Sequence, residues 1–584
     1  MEWPRIALAQ FDPAPGNVTL NVKRMADMVR FAAGRGAELV VFPEESVSGY
    51  CIGDHNRNRV LLAEGVKAVQ ERLAPACDRA AAVVGLLAPE RGLRLNDGAE
   101  GARDAYLVLG GGKVIGGGCK TLLVDDGVLS DSRYFLAGDA DALRPVAVPL
   151  PGGRVLRLGV LVCQDMWDDH YRAKPAAELK RHGAELLVTL NASPFHVGKL
   201  GDRIAVASRR VRETGLPLAY VNTVGVQDNG KNVIVLDGGS FVMDGDGTLL
   251  AQYPQFEEGV YQFDGVHRAV DAGPPRVEEL FHALVFALRG FFTRSGHTGA
   301  VIGLSGGIDS ALSAFLLTQA LGSQNVLGLN MPSRFSSRIT QDLARDLSGR
   351  LGIEYVVHPI EEVVAHKLKE YVQVAGQEVK PLTAENIQAR ERGSILMTHA
   401  QQRGRLVVGN GNKTEFQRGY ATLYGDIVGA VMPLGDVAKT DVYRLVRFIN
   451  ERYGGPIPEG ILAIPPSAEL SEAQDVNQGL GDPFDYDVEA PLGVELIENE
   501  RTPAELGELF RQRGLDAEIW APVRSAKPVY DKMTAEAFEK MAWEVFLAIE
   551  GSAFKRIQAP PIIKLTRKAF GFDYRESVFT RLKV

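Results

Sequence analysis

Cysteine is scarce in this chain, with four in 584 residues. Cys51, Cys77, Cys119 and Cys163 form no C-x-x-C pair and no His-paired zinc spacing, which argues against a disulfide scaffold or a structural zinc module. A reducing cytoplasm is the simplest setting. Long apolar runs are missing, and no basic and apolar leader precedes the strand-like run after Met1-Glu2-Trp3-Pro4-Arg5, so neither a membrane span nor secretion is expected. Positive charge is not in excess. The formal net charge of −8 argues against nonspecific nucleic-acid binding, yet leaves room for a nucleotide pocket lined by local lysines. Internal repeats and low-complexity tracts are lacking as well.

What is present is an ordinary folded composition, 45% hydrophobic and 24% charged, in a chain too long for one core. Apolar runs at 6–10, 39–42, 82–87, 105–109, 156–162, 186–190, 218–221 and 241–243 read as strands, with helices between several of them at 21–33 and 66–79. Gly-rich hairpins at 110–113 and 244–247 add antiparallel character, so residues 1–265 are expected to form a sandwich rather than a doubly wound sheet. The polar stretch that follows supplies a linker, 266–276. Residues 277–584 open on a helix at 277–293. Strands at 326–331, 355–359 and 406–408 then alternate with helices such as 340–351, the pattern of a parallel sheet covered by helices. The acidic, turn-rich region from about 471 to 545 carries no chemistry that its residues disclose.

Ser305-Gly306-Gly307-Ile308-Asp309-Ser310 follows the apolar run 300–304 and precedes an apolar helix. Glycines and hydroxyls at a strand-to-helix turn present backbone N–H groups at the positive end of a helix, a cradle for an anion such as a phosphate chain. An ordinary Gly-containing turn reads the same way, and the spacing and lysine of a Walker A loop are absent. In the first half, Glu44, Lys120 and Cys163 each close an apolar or strand-like run, where side chains can converge on one rim. Singly, each is a common loop-end or buried residue. Together they suit amide hydrolysis. A thiolate attacks the amide carbon, a neighbouring ammonium lowers the thiol pKa and stabilises the oxyanion, and a carboxylate moves the proton.

Phe42-Pro43-Glu44, Cys119-Lys120 and Val162-Cys163-Gln164-Asp165-Met166-Trp167 resemble the three motifs of the nitrilase (carbon–nitrogen hydrolase) superfamily, and Asn191-Ala192-Ser193-Pro194-Phe195 extends the likeness. SGGIDS resembles the signature of ATP pyrophosphatases. With Thr383–Arg390 (TAENIQAR), GNKTE, TLYGD, AKT and PPSAEL behind a nitrilase-like half, the chain resembles the glutamine-dependent NAD⁺ synthetases. The resemblance implies an N-terminal αββα nitrilase-like sandwich followed by a Rossmann-like parallel α/β ATP-pyrophosphatase domain. It implies Glu44, Lys120 and Cys163 as the catalytic set, with Asp126, Ser193 and Lys199 at the glutamine. Ser305, Gly306, Gly307, Asp309, Ser310, Asn410, Lys439 and Ser467 would contact ATP. Asn386, Glu415, Tyr420, Leu423 and Lys555 would line the site for deamido-NAD⁺, and Asp309 and Glu415 would hold Mg²⁺. Glutamine, ATP and deamido-NAD⁺ are the implied substrates, in a homo-oligomer that binds neither nucleic acid nor membrane. Ammonia would pass directly between the two sites.

Three positions depart from that pattern. Gln164 stands where these enzymes commonly carry Glu, Asp126 where glutamine users often have a tyrosine, and Asn410 where a threonine contacts ATP. Thr383 is expected to cap the helix that it opens. An ammonia-dependent synthetase with an inactive scaffold as its first half stands as the alternative. Asparagine synthetase-type chemistry is disfavoured by Glu2 at the second position, and GMP synthetase-type chemistry by the lack of a G-x-C-x-G setting around Cys163.

Overall fold

The computed structural model describes residues 3–267, 274–515, 520 and 530–579. It divides into two units, Met1–Asn229 with Ile234–Pro274, and Gly230–Val233 with Pro275–Val584. The 266–276 linker lies largely outside the described residues.

The first unit is built on two mixed six-stranded sheets. One runs in the order Gly259–Phe263, Ile6–Gln10, Leu39–Val41, Ala81–Arg94, Glu100–Gly110, Lys113–Cys119; the other runs Leu249–Gln252, Phe241–Met243, Leu218–Asn222, Leu186–Asn191, Val155–Val162, Val146–Pro149. Alternation along each strand decides the layers. Ile6 and Leu8 join Leu158, Val160, Val188 and Val221 in the core between the sheets. Ala7 and Ala9 point the other way, against Val22, Met25 and Val29 of helix Val18–Gly34. Leu161, Leu187 and Tyr220 likewise face helices Pro175–Arg181 and Lys199–Thr214. Strands apolar on both faces are therefore buried on both faces, giving helix–sheet–sheet–helix. The helix expected at 66–79 begins earlier, as Arg59–Ala68, because Asn58 caps it by accepting from Val60 and Leu61 N; wider and tighter turns then carry the chain to Ala76.

In the second unit a four-stranded parallel sheet has the order Glu354–Val357, Val326–Asn330, Ala300–Gly303, Leu406–Val408. One face is covered by helices Glu361–Ala375 and Pro381–Arg403 through Val301, Leu329, Val364, Ile395 and Val407. Helices Arg276–Ser295 and Ile308–Leu321 meet through Phe281 and Phe315, whose ring centroids are 6.2 Å apart. Strand Ala300–Gly303 has its sequence neighbour on one side and Leu406–Val408, reached later, on the other. That reversal opens a crevice at the strand C-termini, the usual ligand position in open α/β sheets. Thr383 does not cap its helix. The cap is Lys380, with Pro381 in the first turn, where its fixed φ and missing N–H suit a helix start. A further cluster joins Lys413–Arg418, Pro503–Gln512 and Ala535–Gln558 through Phe416, Phe510, Phe538 and Ile549. Among the described residues no helix is long and apolar enough to cross a membrane.

Candidate active sites

In the first unit Glu44, Lys120 and Cys163 follow strands Leu39–Val41, Lys113–Cys119 and Val155–Val162, and the fold brings them together. Gly85 lets the Glu44 segment approach its sheet, since a Cβ there would lie 2.4 Å from Pro43 O and 2.7 Å from Glu44 Cα. Lys120 Nζ donates to Glu44 Oε1 at 2.7 Å, and the other Glu44 oxygen accepts from Ala192 N at 2.7 Å. Asp131 Oδ2 lies 2.8 Å and Asp104 Oδ2 3.3 Å from the same Nζ, and none of these side chains is more than 1% exposed. Burial works against the Lys120 ammonium, but Glu44, Asp131, Tyr50 and Asp104 outweigh it and hold its pKa well up.

Cys163 is buried and sits at φ 44°, the left-handed region that a non-glycine residue adopts at a cost of roughly 1–3 kcal/mol. The turn is fastened by Asp165, whose Oδ2 accepts from Val162 N at 3.1 Å while Oδ1 accepts from Thr121 N at 2.9 Å and Leu122 N at 2.8 Å. One carboxylate thus ties the cysteine turn to the residues after Lys120. The Lys120 charge lowers the thiol pKa, as expected, but burial and the Glu44 charge outweigh it, and the net shift is well above the usual range.

Ser193 is buried; its Oγ accepts from Arg203 Nε at 3.2 Å and its carbonyl from Arg203 Nη2 at 2.8 Å. Arg203 is fully buried and pairs with Asp237 through Nη1–Oδ2 at 2.9 Å and Nη2–Oδ1 at 2.7 Å. Lys199 Nζ lies over the Trp167 ring, 4.3 Å from its centroid. Asp126 is exposed, and Gln164 turns its amide to Trp167 O at 3.4 Å.

In the second unit the loop after Ala300–Gly303 turns through Gly306 at φ 87°, where a Cβ would lie 2.1 Å from Thr340 O. Helix Ile308–Leu321 starts after Gly307, and Ser305 Oγ accepts from Gly307 N at 3.2 Å and lies 3.3 Å from Ser310 Oγ. Asp309 accepts from Asn412 Nδ2 at 3.1 Å and from Lys439 Nζ. Lys439 is also 3.9 Å from Glu415 Oε1. Glu415 closes a capping box with Asn412, and burial together with the Asp309 charge pushes it up to about 8 against the pull of Lys439. Asn410 donates to Gly303 O at 2.9 Å, which ties the two strand ends flanking the crevice, and among the described residues its Oδ1 is buried without a partner.

The remaining predicted residues gather around the loop 419–425. Lys555 Nζ donates to Gly419 O at 2.8 Å and Ala421 O at 2.7 Å; Asn386 Oδ1 accepts from Thr422 Oγ1 at 2.7 Å; Arg390 Nε donates to Leu423 O at 3.3 Å. Tyr420 Oη accepts from Gln474 Nε2 at 2.7 Å, and Ser467 Oγ donates to Gln474 O at 2.7 Å.

Several residues that no motif flagged belong to these clusters. Asp104, Asp131 and Arg203 support the first site. Tyr486 donates to Asp482 Oδ2 at 2.8 Å and reaches Glu415 Oε1 at 3.4 Å, and its ring centroid lies 4.8 Å from Lys439 Nζ. Both come from the region left without a role, where a run of acids and turn formers looks solvated. Lys413, buried inside GNKTE, donates at 2.8 Å to Glu498 and to Thr566 Oγ1 and at 3.0 Å to Lys568 O, and lies 2.8 Å from Asp436. Asp436 in turn accepts from Leu565 N and Thr566 N at 2.7 and 2.8 Å.

Among the described residues no group of three or more His, Cys, Asp or Glu side chains could by itself hold a metal ion. Asp309 and Glu415, which share Lys439, are hard oxygen donors of the kind that bind Mg²⁺ as one or two carboxylates alongside substrate phosphates, so they fit that ion.

Comparison with known proteins finds a family for each half of the chain. The carbon-nitrogen hydrolase family matches residues 5–264 and the NAD synthase family residues 280–526. The chain is 32% identical to a glutamine-dependent NAD(+) synthetase of Thermotoga maritima over 100% of both chains. It is 34% identical to that of Rhodobacter capsulatus over 99% of this chain and 98% of the other. The solved glutamine-dependent NAD+ synthetase of Acinetobacter baumannii, in complex with ADP, superposes with a TM-score of 0.71 at 28% identity, covering 98% of each chain. With identity of this order running from end to end, the chain belongs to the glutamine-dependent NAD(+) synthetase family.

Proposed function

We propose that the chain amidates deamido-NAD⁺ to NAD⁺ at the expense of ATP, with ammonia from glutamine, yielding glutamate, AMP and pyrophosphate. The observation that carries this reading is one polypeptide with both a buried Glu44–Lys120–Cys163 cluster and a glycine phosphate loop joined to Asp309 and Lys439.

At the first site Glu44 takes the thiol proton as Cys163 Sγ attacks the side-chain amide carbon. Lys120, bonded to Glu44 at 2.7 Å, faces the oxyanion as it forms. The proton goes from Glu44 to the departing ammonia, and Glu44 then activates the water that releases glutamate from the thioester. Ser193, positioned by Arg203, and Lys199 hold the glutamine.

At the second site the ATP phosphates lie against the N-terminus of helix Ile308–Leu321, with Ser305, Gly306, Gly307 and Ser310 around them and Asn410, Lys439 and Ser467 beside them. Mg²⁺, held by Asp309 and Glu415, would offset phosphate charge. Asn386, Tyr420, Leu423 and Lys555 line the place of deamido-NAD⁺. Its nicotinate carboxylate attacks the α-phosphorus and expels pyrophosphate, and ammonia then displaces AMP from the mixed anhydride. Lys439 offsets the charge on the departing pyrophosphate. The setting expected is cytoplasmic, in a homo-oligomer. Incubation with ATP, deamido-NAD⁺ and amide-labelled glutamine tests the reading: mass analysis should find the label in the NAD⁺ carboxamide, and its absence there would refute it.

A further inference from the structure

Lys120 is enclosed by more carboxyl groups than one ammonium can offset. Glu44, Asp104 and Asp131 surround its Nζ, and Glu45 beside them is fully buried, neither carboxyl oxygen being hydrogen-bonded among the described residues. Four ionised carboxylates against one ammonium would leave three surplus negative charges out of contact with water, an arrangement that burial strongly opposes.

Their partners sort these groups. Glu44 accepts from Lys120 and from Ala192 N, and Asp131 accepts from Tyr50 Oη at 2.9 Å and Val124 N at 3.1 Å. Asp104 differs. Among the described residues neither of its oxygens receives a donor, the Lys120 contact at 3.3 Å is the longest of the three, and it crowds the same Nζ that Glu44 Oε1 approaches to 2.7 Å. Two carboxyl groups facing each other form a hydrogen bond only if one of them carries a proton.

We propose that Asp104 is a positioning residue kept as a neutral acid, whose proton is donated to Glu44 so that Lys120 serves Glu44 and Asp131. The donated bond fixes which of the Glu44 lone pairs is left for Cys163. With Glu45 neutral as well, the surplus falls from three charges to one, which lowers the repulsion met by a thiolate forming at Cys163. Burial and the Glu44 charge hold Asp104 well above the usual carboxylate range, and burial and Asp104 do the same for Glu45. The titratable groups around Asp104 are Glu44 and Glu45 on one segment, Cys119 at the end of the next strand with Lys120 directly after it, and Asp131 on the short helix Asp131–Arg133. Loss of the Asp104 proton at alkaline pH removes the donor and adds a charge, and glutamine hydrolysis declines.

The inference rests on the glutaminase reading of this site. Asp104→Ala should lower kcat for glutamine hydrolysis by about tenfold or more with little change in KM, and Asp104→Asn, whose amide can replace the donor, should restore it to within about threefold of the wild type. The alkaline fall of the wild-type pH profile should move to higher pH in Asp104→Asn. Infrared difference spectra of the wild type against whichever variant folds should contain the carbonyl band of a protonated carboxyl group, shifted in deuterium oxide. A folded Asp104→Asn no more active than Asp104→Ala, or a wild type without that band, overturns the proposal. A wild type that does not hydrolyse glutamine refutes the glutaminase reading instead, and the infrared band still decides the protonation of Asp104.

Discussion

Arg203→Met is the most searching test of how the first site is supported. The guanidinium is fully buried and holds Asp237 by two bonds and Ser193 by two more. Burial works against its charge, and Asp237 outweighs that effect. Methionine fills much of the volume but leaves the Asp237 carboxylate with the Gln255 Nε2 donor at 2.9 Å. Removing one partner of a buried pair costs roughly 3–5 kcal/mol. At roughly 2–4 °C per kcal/mol for a unit of this size, the first unit should melt about 6–20 °C lower. Scanning calorimetry at neutral pH reads this directly. Ser193 also loses the two bonds that orient it, so KM for glutamine should rise while ammonia-supported NAD⁺ formation is unaffected. A shift below about 2 °C, or an equal loss with both nitrogen sources, would refute the reasoning that Arg203 supports glutamine binding through Ser193.

Cys163→Ala should abolish glutamine-supported NAD⁺ formation and leave the ammonia-supported reaction intact; both rates are read from NAD⁺ by mass, and retention of the first would remove the thiol from the mechanism. Lys439→Met should slow pyrophosphate release with ammonia by roughly 10²–10³-fold while glutamine is still hydrolysed, and an unchanged rate would mean that Lys439 serves only to pair with Asp309. Burial holds Asp165 up to about 7 against three backbone N–H donors. Its stabilising contribution is therefore full below the unfolded pKa near 3.9 and disappears as pH climbs through about 7. Asp165→Asn should flatten that part of the stability–pH curve, and a variant with the wild-type slope would acquit Asp165.

Glu44 and Cys163 are legible in the sequence because each follows an apolar run, and Lys120 because it ends the strand-like run 113–120. Strands ending at one rim of a sandwich must bring such residues near one another. The phosphate loop is legible for a similar reason, since two glycines between an apolar strand and an apolar helix leave little else for the backbone to do. Asp104 and Arg203 carry no such mark. One lies within a strand and the other within a helix, and their significance comes from groups contributed by separate strands. The resemblance implied an ammonium beside Cys163 but not how dry their surroundings are, and burial outweighs the lowering that Lys120 exerts on the thiol. Asp482 and Tyr486 were hidden because a turn-rich acidic stretch resembles a solvated surface until the chain lays it beside Glu415 and Lys439.

The bonds from Lys413 and Asp436 to residues 565–568 have a practical consequence for anyone trimming this protein. Those last strides of the described chain are not an appendage that can be shortened to aid crystallisation. Ending the polypeptide before Leu565 would strip an interior ammonium and an interior carboxylate of several companions at once, immediately beside the GNKTE segment. Shortened versions should lose ATP-driven chemistry while glutamine cleavage continues.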